Sequence, residues 1–369
     1  MKKVIWFLKN KTVFCIACLA ALATAFVVPP DRAYLDYFDF KTLACLFLTL
    51  AVICALKDIR FFTILARKLV LITGNLRSLT LMLVYITFIG SMLIANDMAL
   101  ITFLPLGYFA LHVTKNEKHM AYIFILQNIS ANLGGMLTPF GNPQNLYLYS
   151  AFNIPTGEFT AIMLPPFLLA VALLTVCCFL VRPLPLSINK TFTETMNIPR
   201  MILYLALFAF SILIVFRIVP YWIGLVIIPV ILFFVDREAL RNVDYALLGT
   251  FFMFFIFAGN LSRLDAVHSL VSGLLARNTL LVSICSCQLI SNVPSAILLS
   301  RFTDNYKALL LGVNIGGTGT LISSLASLIT FNEFRVLYPS HGRQYFARFT
   351  LMNVLFLGIM TAAALLFFL

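Results

Sequence analysis

Asp97 stands in the middle of an apolar stretch, directly after Asn96, and its chain neighbours on both sides are those of a membrane-spanning segment. A carboxylate at that depth is costly unless it is paired, hydrated or protonated. Such a group suits proton exchange or cation binding. A plainer role is also open to it, as a cap accepting N–H bonds at the start of the next helix. Two polar interruptions follow it in sequence. The first reads Asn132-Leu-Gly134-Gly135-Met-Leu-Thr138-Pro139-Phe-Gly141-Asn142-Pro143-Gln144-Asn145, and the second reads Asn314-Ile-Gly316-Gly317-Thr318-Gly319-Thr320-Leu-Ile-Ser323-Ser324. Overlaid, Asn132 meets Asn314, the Gly-Gly pairs coincide and Thr138 meets Thr320.

Residues of these types in a membrane span expose backbone and amides where there is no water. A duplicated interruption is the sequence mark of a secondary transporter's binding site. Half-helix N-termini favour anions, and unwound carbonyls favour Na⁺. The candidate substrate-binding residues are therefore Asn132, Thr138, Gly141, Asn142, Gln144 and Asn145 in the first half. In the second half they are Ser291, Asn292, Asn314, Thr318, Thr320, Ser323 and Ser324. Asp97 and Asn96 are the candidate ion-coupling pair, with a possible Na⁺ near Asn96, Asp97 and Gly141. Ser, Thr, Asn and Gly also glue membrane helices together without binding anything. Their recurrence at matched places favours the binding role.

The rest of the composition narrows the class. The chain is 62% hydrophobic and 11% charged, with mean hydropathy +1.00, whereas soluble domains are about half apolar and a quarter charged. Continuous apolar runs exclude a β-barrel, which alternates, and leave an all-α polytopic membrane protein. The net charge of +12 is explained by Lys and Arg in the loops, which set topology, so no nucleic-acid partner is implied. All eight cysteines fall in apolar segments, including Cys15-Ile-Ala-Cys18, and the four histidines are scattered. No metal-ligand spacing results. Gly316-Gly317-Thr318-Gly319 lacks the phosphate-loop spacing and its Lys, and no nucleophile–base arrangement supports a hydrolase. The reading is no enzyme and no cofactor, with Na⁺ or H⁺ as a possible coupling ion.

The elements that must position these residues follow from the apolar runs. Segments are expected at 12–28, 40–56, a hairpin 78–113, a broken segment 120–152, then 158–181, 201–219, 221–235 and 243–260. A second hairpin 279–304, a second broken segment 308–330 and 345–369 complete the chain. The first hairpin is re-entrant because its outer ends carry Arg77 and Lys115 with Lys118, on one membrane face, with Asn96-Asp97 at the tip. The second has Asn292-Val293-Pro294 at its tip. Each half then also holds an amphipathic connector, 57–76 and 261–278. Counted this way, 1–181 and 221–369 are two repeats, and 182–220 is a linker plus one extra helix that inverts the second copy. Charge places the N-terminus in the cytoplasm and the C-terminus outside, because Lys2, Lys3, Lys57, Arg60, Arg182, Arg200, Arg237 and Arg343 then lie in cytoplasmic loops. The basic Met1–Lys11 stretch and Ala23-Thr24-Ala25 have the look of a cleaved leader, but the repeat needs 12–28 as a retained helix.

These motifs resemble a known superfamily. Ala95-Asn96-Asp97-Met-Ala-Leu-Ile-Thr-Phe-Leu-Pro105 resembles the first hairpin motif of the ion-transporter superfamily that holds arsenite permeases and NhaD-type sodium/proton antiporters. Leu137 to Asn145 resembles its broken-helix motif, Ser291 to Leu299 its second hairpin, and Asn314 to Leu328 its second broken helix. Citrate-transporter-like and divalent-anion/sodium symporter families share the plan. The resemblance implies a mobile transport domain of hairpins and broken helices, a scaffold that dimerises, and an elevator motion. It also implies a multi-pass protein of the plasma (inner) membrane. The hairpin tips depart from the Ser-Asn-Thr of the divalent-anion symporters, reading Ala95-Asn96-Asp97 and Ser291-Asn292-Val293. No Lys or Arg lies in the motifs, so a substrate anion would lean on helix dipoles and amides. The expectation is a secondary transporter of a small anion, a carboxylate or arsenite-like oxyanion, coupled to H⁺ or Na⁺. A Na⁺/H⁺ antiporter is the alternative, and an anion channel is a more remote one.

Overall fold

Asp and Asn at the polar borders of the apolar runs start many of the helices. Asp39 accepts from Thr42 N–H at 2.9 Å, Asp236 from Ala239 at 3.2 Å, Asp244 from Leu247 at 3.2 Å and Asn305 from Ala308 at 3.2 Å. Asn75 and Ser78 form a reciprocal capping box. Each side chain satisfies an N–H that the helix itself leaves unpaired.

The computed structural model describes residues 12–186 and 197–368. The basic stretch Met1–Lys11 and the middle of the expected linker lie outside the described residues. In chain order the helices are α1 (Thr12–Val27), α2 (Phe40–Asp58), α3 (Phe61–Leu71), α4 (Leu76–Ile94), α5 (Asn96–Val113), α6 (Met120–Gly134), α7 (Pro143–Ala151), α8 (Thr156–Phe179) and α9 (Ile198–Val215). They continue as α10 (Tyr221–Val235), α11 (Arg237–Arg241), α12 (Tyr245–Ser262), α13 (Asp265–Ile290), α14 (Asn292–Leu299), α15 (Tyr306–Ile315), α16 (Leu325–Leu337) and α17 (Gly342–Ala363). Among the described residues the 8 spans long and apolar enough to cross a bilayer are joined by shorter apolar helices such as α1, α10 and α15. The protein is an all-α polytopic membrane protein.

Each stretch expected to form a hairpin holds two consecutive helices. α4 and α5 meet at Ala95, and α13 and α14 meet at Ser291. The expected connector 261–278 ends at Asn278, whose non-helical φ of −163° kinks α13 where the hairpin begins. One boundary differs. The second broken segment, expected to stop at 330, runs on as α16 to Leu337. Asn332, Glu333 and Arg335 look like a polar stop, yet they are the exposed face of a helix whose Thr330 and Phe334 are buried. Amphipathic periodicity outweighs local polarity there.

Small residues let the helices approach closely. α1 packs through Ala17, Ala21 and Thr24 on α12, where Asn260 donates to Thr24 Oγ1 at 3.2 Å and to the Tyr34 hydroxyl at 2.9 Å. A Cβ on Gly259 would lie 2.4 Å from the Tyr37 ring, so only glycine admits it. α2 is buried along most of its length, whereas Phe26, Phe234 and Phe367 are 78–87% exposed and face where lipid would lie. The start of α4 is pinned to the segment after α8, with Leu76 N–H donating to Leu184 O at 2.8 Å and Leu186 N–H to Gly74 O at 3.1 Å.

Outside the spans, Arg263 forks onto Asp31 at 2.7 and 3.0 Å, tying the loop after α1 to the end of α12. These hydrogen bonds hold the Asp31 carboxyl below its ordinary range. A depressed folded value stabilises the fold above the ordinary carboxylate pKa of about 3.9, and that contribution is lost as pH falls through the lowered value. Both side chains are well exposed (38% and 43%), so the effect is small. Arg263→Gln is expected to lower the melting temperature slightly at neutral pH, with the gap to wild type closing on acidification towards pH ~3. A gap that stays constant over that range would exclude the ion pair as its cause.

Candidate functional site

The two hairpin tips have the same backbone. Ala95 has φ 64° and ψ 154°, and Ser291 has φ 76° and ψ 159°. Non-glycine residues in this region cost about 1–3 kcal/mol each and persist only where the surroundings enforce them. After each tip an Asn turns its carbonyl back on the next N–H: Asn96 Oδ1 accepts from Asp97 N and Asn292 Oδ1 from Val293 N, both at 2.9 Å. Among the described residues Asp97 therefore does not perform the capping that the sequence left open to it. Asn96 does, and the Asp97 carboxylate is left for something else.

The broken helices show how unwound backbone is kept at depth. α6 ends at Gly134, a short turn Gly135–Leu137 follows, Thr138 and Asn142 are extended, and Pro143 opens α7. A Cβ on Gly141 would lie 2.4 Å from Gly135 O, so this close return of the chain requires glycine. The freed carbonyls go to Asn145, whose Nδ2 donates to Gly135 O and Met136 O at 3.2 Å each. In the second break the same task falls to Gln288, on α13 ahead of the hairpin tip. Its Nε2 donates to Gly316 O at 2.8 Å and Thr318 O at 3.1 Å, and its Oε1 accepts from Thr320 N at 2.9 Å. Thr138 Oγ1 donates to Met92 O at 2.9 Å and Thr320 Oγ1 to Gln288 O at 3.3 Å, each tying a break to the hairpin before it.

The breaks and tips converge on a cluster of buried amides. Asn96 Nδ2 donates to Asn132 Oδ1 at 3.3 Å, and Asn314 Nδ2 to Asn145 Oδ1 at 2.6 Å, so the second pair joins the two halves of the chain. A Cβ on Gly317 would lie 3.1 Å from Asn292 Nδ2 and 3.7 Å from Asn132 Oδ1, so the second tip's Asn292 and the first break's Asn132 both approach that glycine. Other candidates are occupied locally. Ser323 Oγ donates to Gly317 O and Thr320 O, Thr318 Oγ1 donates to Ile315 O, and Ser324 shares a hydrogen bond with Ser327 at 2.9 Å. Ser291 Oγ lies 3.4 Å from Asn292 Oδ1.

What stays unpaired is informative. Asp97 Oδ1, both amide atoms of Asn142, Gln144 Oε1 and Asn314 Oδ1 are buried with no hydrogen-bond partner among the described residues. Asp97 and Asn142 line one cavity of about 230 Å³. Its wall comes from α2 (Thr49, Leu50), from the first turns of α5, α7 and α16, and from Asp244 at the start of α12. Helix N-termini and an amide suit an anion, while two carboxylates suit a proton or cation. No Lys or Arg lines it.

Asp244, Gln288, Asn128 and Asn353 belong to this architecture and were not singled out from sequence. Asn128 donates to Asn353 Oδ1 at 3.2 Å and accepts from Thr330 at 3.3 Å, joining α6, α16 and α17. An amide inside an apolar run was the available signal for Gln288, Asn128 and Asn353. Asp244 gave none, because it reads as an ordinary helix cap.

The geometry defines a polytopic membrane protein whose polar helix breaks meet at a small buried site, and comparison with known proteins places that class more narrowly. The profile of the citrate transporter family matches residues 3–308, and the chain belongs to that family. It is 32% identical over 319 residues to an uncharacterized transporter of Methanocaldococcus jannaschii, covering 85% of each chain. It is 28% identical over 349 residues to the inner membrane protein YbiR of Escherichia coli, covering 90% of this chain and 91% of the other. A silicon efflux transporter of Oryza sativa is 34% identical over 128 residues, 34% of this chain and 25% of that protein. The protein is a membrane transporter and not an enzyme.

Proposed function

We propose that the protein is a secondary active transporter of a small anion, a carboxylate or arsenite-like oxyanion, coupled to H⁺ or Na⁺ through Asp97. The observation that carries this reading is the cavity lined by Asn142, whose amide is unpaired among the described residues, by Asp97, whose Oδ1 is likewise unpaired, and by the starts of four helices. The amide and the helix ends would hold the anion, and Asp97, with Asn96 and the carbonyls near Gly141, would hold the coupling ion. The matched tip conformations and the matched Thr138 and Thr320 contacts support two repeats, 1–181 and 221–369, with the second inverted by 182–220. The seam between the α2–α12 side and the hairpin–break side of the cavity is where an elevator motion would run. A homodimer in the plasma (inner) membrane, N-terminus cytoplasmic and C-terminus outside, completes the proposal. A Na⁺/H⁺ antiporter is favoured by one specific feature, the presence of both Asp97 and Asp244 on the cavity wall.

Proteoliposomes carrying an internal pH dye separate these readings. A H⁺ or Na⁺ gradient is expected to drive accumulation of citrate, a smaller dicarboxylate or arsenite. A dye response to external Na⁺ alone, with no anion accumulated under any gradient, would establish the antiporter instead. Anion flux indifferent to both gradients would mean a channel.

A further inference from the structure

A second cavity, of about 320 Å³, lies away from the central site, where α6 begins, α16 ends and α17 begins. Its floor is aromatic: Phe334 stacks on Tyr345 with centroids 3.8 Å apart and planes 11° from parallel, and Tyr338 leans on Phe334 at 5.2 Å. Tyr345 is 1% exposed, and its hydroxyl is buried with no partner among the described residues. A buried donor left unmade costs about 1–3 kcal/mol, so an acceptor bound in this cavity would satisfy the phenol. The rim is basic. Lys118 and Arg348 line the cavity and form no ion pair among the described residues, while Glu117, which also lines it, has its carboxylate 2.9 Å from His112 Nδ1. His341 sits at the same rim, its Nδ1 3.0 Å from Ser340 Oγ.

Free donors from Lys, Arg and Tyr, with the local carboxylate engaged, match a tetrahedral oxyanion. The surroundings say what carries it. Val336 on α16 and Phe346 and Leu351 on α17, bracketing Arg348, are 76%, 46% and 71% exposed. A soluble anion has no use for that apolar flank, whereas a phospholipid places its acyl chains on it and its headgroup in the basic pocket. We propose that this cavity binds the phosphate of an anionic phospholipid headgroup, with Lys118 and Arg348 pairing its charge and Tyr345 donating to one of its oxygens. α6 and α16 reach from this cavity to the two helix breaks, at Gly134 and Ser324. A bound lipid therefore steadies the far ends of both half-helices that build the central site. The inference does not depend on which ion or substrate is transported.

The test uses the full-length protein purified in detergent. Phosphatidylglycerol is expected to raise the melting temperature by at least ~2 °C, and phosphatidylcholine, inorganic phosphate and glycerol 3-phosphate are expected to leave it unchanged. K118Q/R348Q, altered at two exposed positions, should melt like wild type without lipid and lose the response. Native mass spectrometry should show the bound phosphatidylglycerol lost in the same variant. Y345F should be no less stable than wild type without lipid, since no internal bond is removed, and should respond more weakly to it. Equal responses to both lipids, or a response retained in K118Q/R348Q, would overturn the proposal. A response to the soluble phosphates that K118Q/R348Q abolishes would overturn the lipid as source in favour of a soluble phosphate ester. Destabilisation of Y345F in the absence of lipid would remove Tyr345 from the site.

Discussion

Asp97→Asn is expected to reduce ion-driven accumulation to the level of passive leak while leaving the protein folded. The prediction has two halves, and each rests on a separate observation. The fold survives because Asp97 Oδ1 makes no hydrogen bond among the described residues, so an amide of the same shape breaks nothing there. Removing a charge at membrane depth also relieves a cost of about 2.5–3.5 kcal/mol on insertion scales, so the melting temperature should be unchanged or higher. Transport fails because an amide neither exchanges a proton nor carries the charge that makes a cation site. The tip itself remains as it was, since Asn96 supplies the cap. Accumulation assays and melting curves on the same preparation check both halves. Ion-driven accumulation at the wild-type rate in the Asn variant would remove Asp97 from the coupling role. An unfolded variant would show instead that its carboxylate is structural.

Much of this site was legible because a membrane makes polarity expensive. Gly134-Gly135 and Gly316-Gly317, with Thr138 and Thr320 three residues after each pair, are costly in an apolar span, and the structure breaks the helices at those points. Asn96 and Asn292 mark the tips for the same reason. What sequence could not supply was which amide serves which carbonyl. Asn145 and Gln288 do equivalent work at the two breaks but occupy unrelated places, one inside its own break and the other on the preceding hairpin. Only the tertiary arrangement links Gln288 to Gly316. Asp244 is a related case. A cap at the border of a span carries no mark of the cavity it faces, because that depends on α5 and α7 arriving opposite it. The overrun of α16 has another cause, a polar face read as an end.

The correspondence between Asn145 and Gln288 leads to the second large effect, which falls on stability. Gln288→Leu leaves Gly316 O, Thr318 O and Thr320 N without the partner each now has. Asn145→Leu likewise strips Gly135 O and Met136 O, and deprives Asn314 Nδ2 of its 2.6 Å acceptor. Buried groups left unsatisfied cost about 1–3 kcal/mol each, so either change should cost roughly 3 kcal/mol or more, with a matching fall in melting temperature. Thr138→Val, which frees only Met92 O, should cost about 1 kcal/mol. Because Asn145 and Asn314 bond directly across the two halves, Asn145→Leu and Asn314→Leu should not add. Neighbours that share a bond typically couple by about 0.5–3 kcal/mol, and the double variant should be less damaged than the sum of the singles. Strict additivity in a double-mutant cycle would mean that this contact does not join the halves energetically. A full loss from Gln288→Leu beside a negligible one from Asn145→Leu would mean that the two breaks are held by different means, and the likeness between them would stop at sequence.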